Sequence, residues 1–124
     1  MPTITEYSPN YAPGESISLT AAAAVKAGQC LVVTGNELVS PSSAADGAFV
    51  GVAGYDAKLG EKVTVRTEGV MTLKATGAIA AGARVTTAAT GTVAALSGTA
   101  FDTVIGIALS AAANNVVKVK LIRG

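Results

Sequence analysis

Residues 19–28, LTAAAAVKAG, and residues 73–82, LKATGAIAAG, are two copies of one pattern, separated by 54 positions. Four consecutive alanines in the first copy favour a helix, because alanine loses the least free energy on entering one. The second copy has Gly77 where the first has Ala23, and glycine is a poor residue inside a helix. The shared pattern therefore predicts a connecting segment, which holds one helical turn at most.

The repeat extends to both sides of this stretch, so that residues 17–67 resemble residues 71–121. Each half contains a strand, an Ala-rich link, a strand, a turn, a strand, a Gly-x-Ala strand, a further link and a closing strand. The Ala-rich segment is predicted to connect the first two strands and to end at a left-handed glycine, Gly28 or Gly82. Chance similarity in a chain rich in Ala, Gly and Val is the alternative explanation.

Short stretches that are β-branched or alternate between apolar and polar residues predict strands. These stretches are residues 15–20, 30–34, 49–53, 63–67, 69–74, 84–87, 92–96, 104–109 and 116–122. The sequences TGNELV and ATGTVA look like tight hairpin turns. Gly51 and Gly106 interrupt strand patterns and predict a bulge or a close approach of two backbones.

Alternation also predicts which side chains are buried. Val63, Val65, Val117, Val119 and Leu121 should face the core, and Lys62, Lys118 and Lys120 should face solvent or a partner. The fold class is therefore all-β, a small β-barrel or sandwich of two similar halves. We expect one β domain over residues 17–124, preceded by an extended arm of residues 1–16.

The first 16 residues differ from the rest, because they hold three of the four prolines and two of the three tyrosines. Proline fixes φ and excludes a helix, so this segment should be extended. We expect the arm to lie on a neighbouring subunit or partner, with tyrosines as amphipathic contacts. The predicted partner-binding residues are Pro2, Ile4, Tyr7, Pro9, Tyr11 and Pro13. The alternative is a frayed terminus.

The residues offer little material for catalysis, so the protein is not expected to be an enzyme. The chain has no histidine, which excludes Ser-His and Cys-His pairs and imidazole metal sites. Its eight acidic residues fall mostly at predicted turns or strand ends, and the lone Cys30 reads as a core position. No cofactor and no metal site are predicted.

Charge and hydropathy argue against two further classes of partner. A net charge of +1 with 14% charged residues gives no basic patch for nucleic acid. No apolar run is long enough to cross a membrane, and the N-terminus lacks the regions of a signal peptide.

Two stretches carry a resemblance: TEGVMTLKATGAIAAGARVTTAATGTV (67–93) and VIGIALSAAANNVVKVKLI (104–122). They resemble the small capsid cement, or head decoration, proteins of tailed bacteriophages, with a likeness that covers about residues 17–122. The matching elements are Gly69-Val70, Gly82 to Val85, Gly91, Ile105 to Ala108, and Val117 to Leu121. Asn114-Asn115 stands where relatives often have a glycine turn.

This resemblance implies a structural virion protein, made in the host cytoplasm, that binds the outer surface of the expanded icosahedral capsid and stabilises it. Its implied partner is the major capsid protein, and relatives imply a homotrimer at three-fold and quasi-three-fold positions. The alternative function is a host- or carbohydrate-binding module of a head fibre or tail. Such modules usually expose aromatic platforms, and the chain has no tryptophan.

Overall fold

Alternating apolar and polar side chains produce ten strands in the computed structural model, which describes residues 16–98 and 101–122. The strands are β1 (Ile17–Ala21), β2 (Cys30–Gly35), β3 (Leu38–Pro41), β4 (Phe49–Ala53), β5 (Lys62–Arg66), β6 (Gly69–Lys74), β7 (Arg84–Thr87), β8 (Val93–Ala95), β9 (Val104–Ala108) and β10 (Val116–Leu121). Two three-residue 3₁₀ turns lie at Ala89–Gly91 and Phe101–Thr103.

The first half closes into a barrel with the strand order β1-β3-β2-β4-β5. The parallel pairing of β1 with β3 and the antiparallel pairing of β1 with β5 complete the ring. Closure leaves no free edge, which removes a hazard of open sheets. The interior is filled by small and branched apolar side chains: Ala21, Val25, Leu31, Val39, Ala53, Ala57, Val63 and Val65.

The second half repeats this arrangement, with the strand order β6-β10-β9-β7-β8. Each pairing of the first half has its counterpart, and the parallel β1–β3 pair Ala21↔Val39 reappears as the single bridge Ala75↔Val93. The prediction of an all-β fold built from two similar halves is confirmed. The division into an arm of residues 1–16 and one β domain of residues 17–124 stays a prediction.

The Ala-rich segments connect the first two strands of each half, as predicted, and they contain no helical turn. The backbone of Val25 exchanges two hydrogen bonds with Ala57, at 2.8 and 2.9 Å, and this cross-barrel pairing replaces a local helix. The left-handed glycines are confirmed, with φ of 88° at Gly28 and 83° at Gly82. Each occupies the third position of a tight turn, where only glycine adopts that φ without strain.

Gly51 and Gly106 lie where two backbones approach closely, as predicted. A Cβ at Gly51 would lie 2.5 Å from the carbonyl oxygen of Arg66, and one at Gly106 would lie 2.4 Å from that of Lys120. The register shifts at both places, opposite Leu31 in the first half and opposite Val85 in the second. The two halves therefore share even their β-bulges.

The turns agree with expectation in one of two cases. TGNELV is a tight hairpin, in which Glu37 has a φ of 55°. ATGTVA is not, because residues 88–92 form a wider connection that includes the 3₁₀ turn Ala89–Gly91. Asn114 and Asn115, whose geometry the sequence left open, both have positive φ, 53° and 61°, as in a type I′ turn.

The predicted core residues of the closing strands are confirmed as buried. Val63, Val65, Val117, Val119 and Leu121 are all at most 7% exposed. The lysines predicted to face outward, Lys62, Lys118 and Lys120, are exposed.

Candidate partner-binding surfaces

The residues predicted to bind a partner lie outside the described residues. This holds for every member of the set: Pro2, Ile4, Tyr7, Pro9, Tyr11 and Pro13. Their role as a docking arm stays a prediction.

The described residues hold no group of three or more Cys, Asp or Glu side chains that could bind a metal ion. Cys30 is fully buried, and burial raises the pKa of its thiol to about 12. A thiol that stays protonated is a poor nucleophile, so Cys30 is a core residue, as the sequence predicted. Within residues 16–98 and 101–122, no helix is long and apolar enough to cross a membrane.

The two halves pack against each other through the outer face of β2 and β4. Cys30, Phe49 and Val52, which we call the β2–β4 face, belong to the same buried cluster as the core of the second half. These strands are therefore apolar on both faces, which explains the unbroken apolar run at the start of β2. The sequence predicted that Cys30 is buried, but it could not predict that the second half buries it.

Polar contacts fix the register of this interface. The Ser42 hydroxyl donates to the Ala88 carbonyl at 2.7 Å. The Thr87 hydroxyl donates to the Ala44 carbonyl at 2.8 Å and accepts from the Asp46 N–H at 3.0 Å. Ser42 and Thr87 are each 1% exposed, so these hydrogen bonds satisfy buried hydroxyls that would otherwise cost free energy.

The 3₁₀ turn Ala89–Gly91 completes the interface. The Gly91 N–H donates to the Ser42 carbonyl at 2.9 Å, and the Gln29 side chain donates to the Thr90 carbonyl at 3.2 Å. A Cβ at Gly91 would lie 2.6 Å from the Cβ of Gln29, so glycine is required for steric reasons as well as for its φ of 70°. The halves thus share a buried interface with several hydrogen bonds across it.

Several large apolar side chains remain exposed in the described part of the chain. They are Val33, Leu38, Tyr55, Leu59, Val70, Phe101, Leu109, Val116 and Ile122. The aromatic rings of Tyr55 and Phe101 lie in different halves, under the guanidinium groups of Arg66 at 5.8 Å and Arg84 at 5.9 Å. The sequence did not predict these residues as partner-binding, because most of them lie at turns and strand ends, where periodicity gives no signal.

The outer face of β6 and β10 is cationic. Lys74, Lys118 and Lys120 are exposed on it. Val116 lies opposite Lys74, and Val70 lies opposite Lys120. This surface suits a partner that offers carboxylates beside apolar groups.

The described residues thus form a closed barrel and a second five-stranded sheet that pack together, with exposed apolar side chains and a cationic strand face. The chain belongs to the phage cement protein family, whose model matches residues 11–122. It is therefore a structural protein of a phage that associates with the capsid.

The fold is similar to that of a solved phage protein. The N base of the head fibre gp8.5 of bacteriophage phi29 is 24% identical, with a TM-score of 0.63 over 88% of this chain and 94% of that one. No curated protein sequence matches the chain.

Proposed function

We propose that this protein is a capsid cement protein that binds the outer surface of the expanded icosahedral phage shell and stabilises it. Its direct partner is the major capsid protein. The observation that carries the proposal is membership of the phage cement protein family over residues 11–122.

The physical mechanism is thermodynamic linkage. A ligand that binds only the expanded shell stabilises it by about 2.7 kcal/mol per site when its free concentration is 100 times its Kd. Many sites act together on one shell, so a modest affinity at each site adds up to a large effect. The closed barrel and the hydrogen-bonded interface between the halves give a preformed module, so binding does not have to order these parts of the fold.

The Pro-rich arm is the attachment segment in this proposal. With Tyr7 and Tyr11, it docks on a neighbouring copy or on the capsid. Three prolines reduce the freedom of the unbound arm, so docking it costs less entropy than docking a flexible segment. The family resemblance further suggests a homotrimer at three-fold and quasi-three-fold positions.

The rival function is a host- or carbohydrate-binding module. Sugar-binding surfaces rely on aromatic platforms, whereas the exposed rings of Tyr55 and Phe101 lie in separate halves and each is paired with an arginine. We therefore favour the capsid.

The experiment is a co-sedimentation titration on expanded, undecorated shells and on unexpanded shells, with a glycan array as the control. We expect saturable binding to expanded shells at a fixed number of copies and weaker binding to unexpanded ones. Glycan binding without shell binding would favour the rival function.

A further inference from the structure

Because the two halves are similar, each surface of the first half has an equivalent surface on the second half. Within the chain, the halves contact each other through one surface of each half, and the equivalents of those two surfaces do not meet. The register identifies the equivalent faces. Cys30 pairs with Val52 in the first half, and Arg84 pairs with Ile107 at the same place in the second. At the next residue pair, after the bulge in each half, Phe49 of the first half corresponds to Val104 of the second.

The β2–β4 face is covered by the second half, but its equivalent is open. Arg84, Phe101 and Ile122 are exposed there, Ile107 is partly exposed, and Val104 lies buried beneath them at 7% exposure; we call this surface the β7–β9 face. Phe101 is 57% exposed and Ile122 is 55% exposed, and a shallow depression lies between them, with Arg84 and Val104 in its lining.

The segment of the second half that contacts residues 29 and 42–46 of the first half also has an open equivalent. Residues 87–91 pack on the first half, and their counterparts are residues 33–37 at the β2–β3 hairpin. Thr87 and Gly91 are buried, whereas the corresponding Val33 and Glu37 are exposed. Glu37 and Gly91 also share a left-handed backbone, with φ of 55° and 70°.

At one contact, the large and the small side chain lie on opposite sides in the two equivalent pairs of surfaces. Inside the chain, the large Gln29 meets Gly91, which has no room for a side chain. At the equivalent positions, the small, partly buried Ala83 would meet the large, exposed Glu37. A small residue on one side is matched by a large one on the other in both cases, which is what packing requires if both contacts form.

Charge is complementary at the same point. Arg84 is exposed and follows Ala83 directly, so a Glu37 seated on Ala83 lies beside a cation. Complementary charges across an interface fix its register and select the partner.

From these correspondences we propose that the β7–β9 face of one copy binds the β2–β3 hairpin of a second copy of this chain. The contact is head-to-tail, because it joins two different surfaces, and such contacts form rings when the rotation closes. The inference deepens the self-association in the proposed function and rests on that part of it, but it does not require the capsid.

The test is sedimentation velocity on the purified full-length protein over a wide concentration series. The variants are Arg84→Glu, Glu37→Arg and the double exchange, and Lys58→Glu is the control, because it reverses an exposed charge that belongs to neither of the two proposed surfaces. Circular dichroism establishes that every variant is folded.

We expect the wild type and the control to self-associate alike. Each single exchange should weaken association at least tenfold, about 1.4 kcal/mol, and the double exchange should recover most of that loss. A wild type that stays monomeric throughout the series would overturn the proposal. So would folded single variants that associate normally, or a double exchange no better than the singles.

Shell binding is measured separately and keeps the two proposals apart. Self-association without shell binding would contradict the cement function and leave the interface standing. Shell binding by a chain that never self-associates would contradict the proposed interface and leave the cement function standing.

Discussion

Replacing Gly106 with alanine tests the close approach of β9 and β10. The new Cβ would lie 2.4 Å from the carbonyl oxygen of Lys120 and 2.8 Å from a Val119 methyl carbon, and Cβ atoms essentially never come that near to another atom. The nearer atom belongs to the backbone, so no change of rotamer relieves the contact. Overpacking of this kind costs about 1–3 kcal/mol, and we expect the upper end of that range.

The melting temperature provides the readout. A chain of 124 residues gains about 0.26 kcal/mol/K of entropy on unfolding near its melting temperature, so a loss of about 3 kcal/mol lowers that temperature by roughly 11 °C. Gly51→Ala should behave in the same way, because its Cβ would meet the Arg66 carbonyl oxygen at 2.5 Å. Thermal unfolding followed by circular dichroism measures both.

Gly82→Ala is the matched control. No atom lies within 4 Å of a Cβ at that position, but its φ of 83° is unfavourable for alanine. Only backbone strain remains, about 1–2 kcal/mol, partly offset by the lower entropy of the unfolded chain. A Gly106→Ala variant that melts no lower than Gly82→Ala would refute the close approach and the β9–β10 register.

Four other expectations can be checked on the same protein. Val119→Asp should abolish folding, because an unpaired buried charge costs several kcal/mol, whereas Lys118→Asp should remain soluble and cooperative in thermal melts. Cys30 should resist thiol reagents until the chain unfolds. Burial raises the pKa of the Cys30 thiol from 9.0 to about 12. The contribution of this thiol to the free energy of unfolding should therefore be complete below pH 9 and be lost as the pH rises towards 12. In denaturant titrations, Cys30→Ala should remove this loss of stability above pH 9. Asn115→Gly should raise the free energy of unfolding by a few tenths to about 1 kcal/mol, since glycine suits the second position of a type I′ turn, and unchanged or lower stability in denaturant would contradict that turn type. Deleting residues 1–14 should leave the melting temperature almost unchanged but weaken shell binding at least tenfold, and equal occupancy curves for the two proteins would show that the arm is only a tail.

The strands were the most predictable part of the fold. Alternation over residues such as Val117 to Leu121 reports directly on which side chains meet the core, and the 54-residue offset implied that the second half would repeat the first. The bulges at Gly51 and Gly106 were also predictable, because glycine inside a strand pattern has few other causes.

The links and the interface between halves were less predictable, because long-range contacts determine them. The alanine run around Val25 was compatible with a helical turn until its pairing with Ala57 was known. The wide connection around Gly91 depends on a hydrogen bond to Ser42 in the other half. Neither partner is adjacent in sequence, so local propensity carried no information about them.

The partner-binding surfaces were the least predictable. Phe101 and Ile122 carry no periodic signal, and the importance of Arg84 and Glu37 follows only from comparing a covered face with its open equivalent. A repeat in the sequence indicates that equivalent faces exist, but only the folded chain shows which of them is buried.

Calorimetry of expanded, undecorated shells tests the cement function most directly. The shells are heated alone and with increasing amounts of the full-length protein. The account predicts that the melting temperature of the shell rises with protein concentration and continues to rise slowly after the sites are filled, as linkage requires. If the shell with saturating protein melts at the same temperature as the shell alone, that result would contradict the cement function.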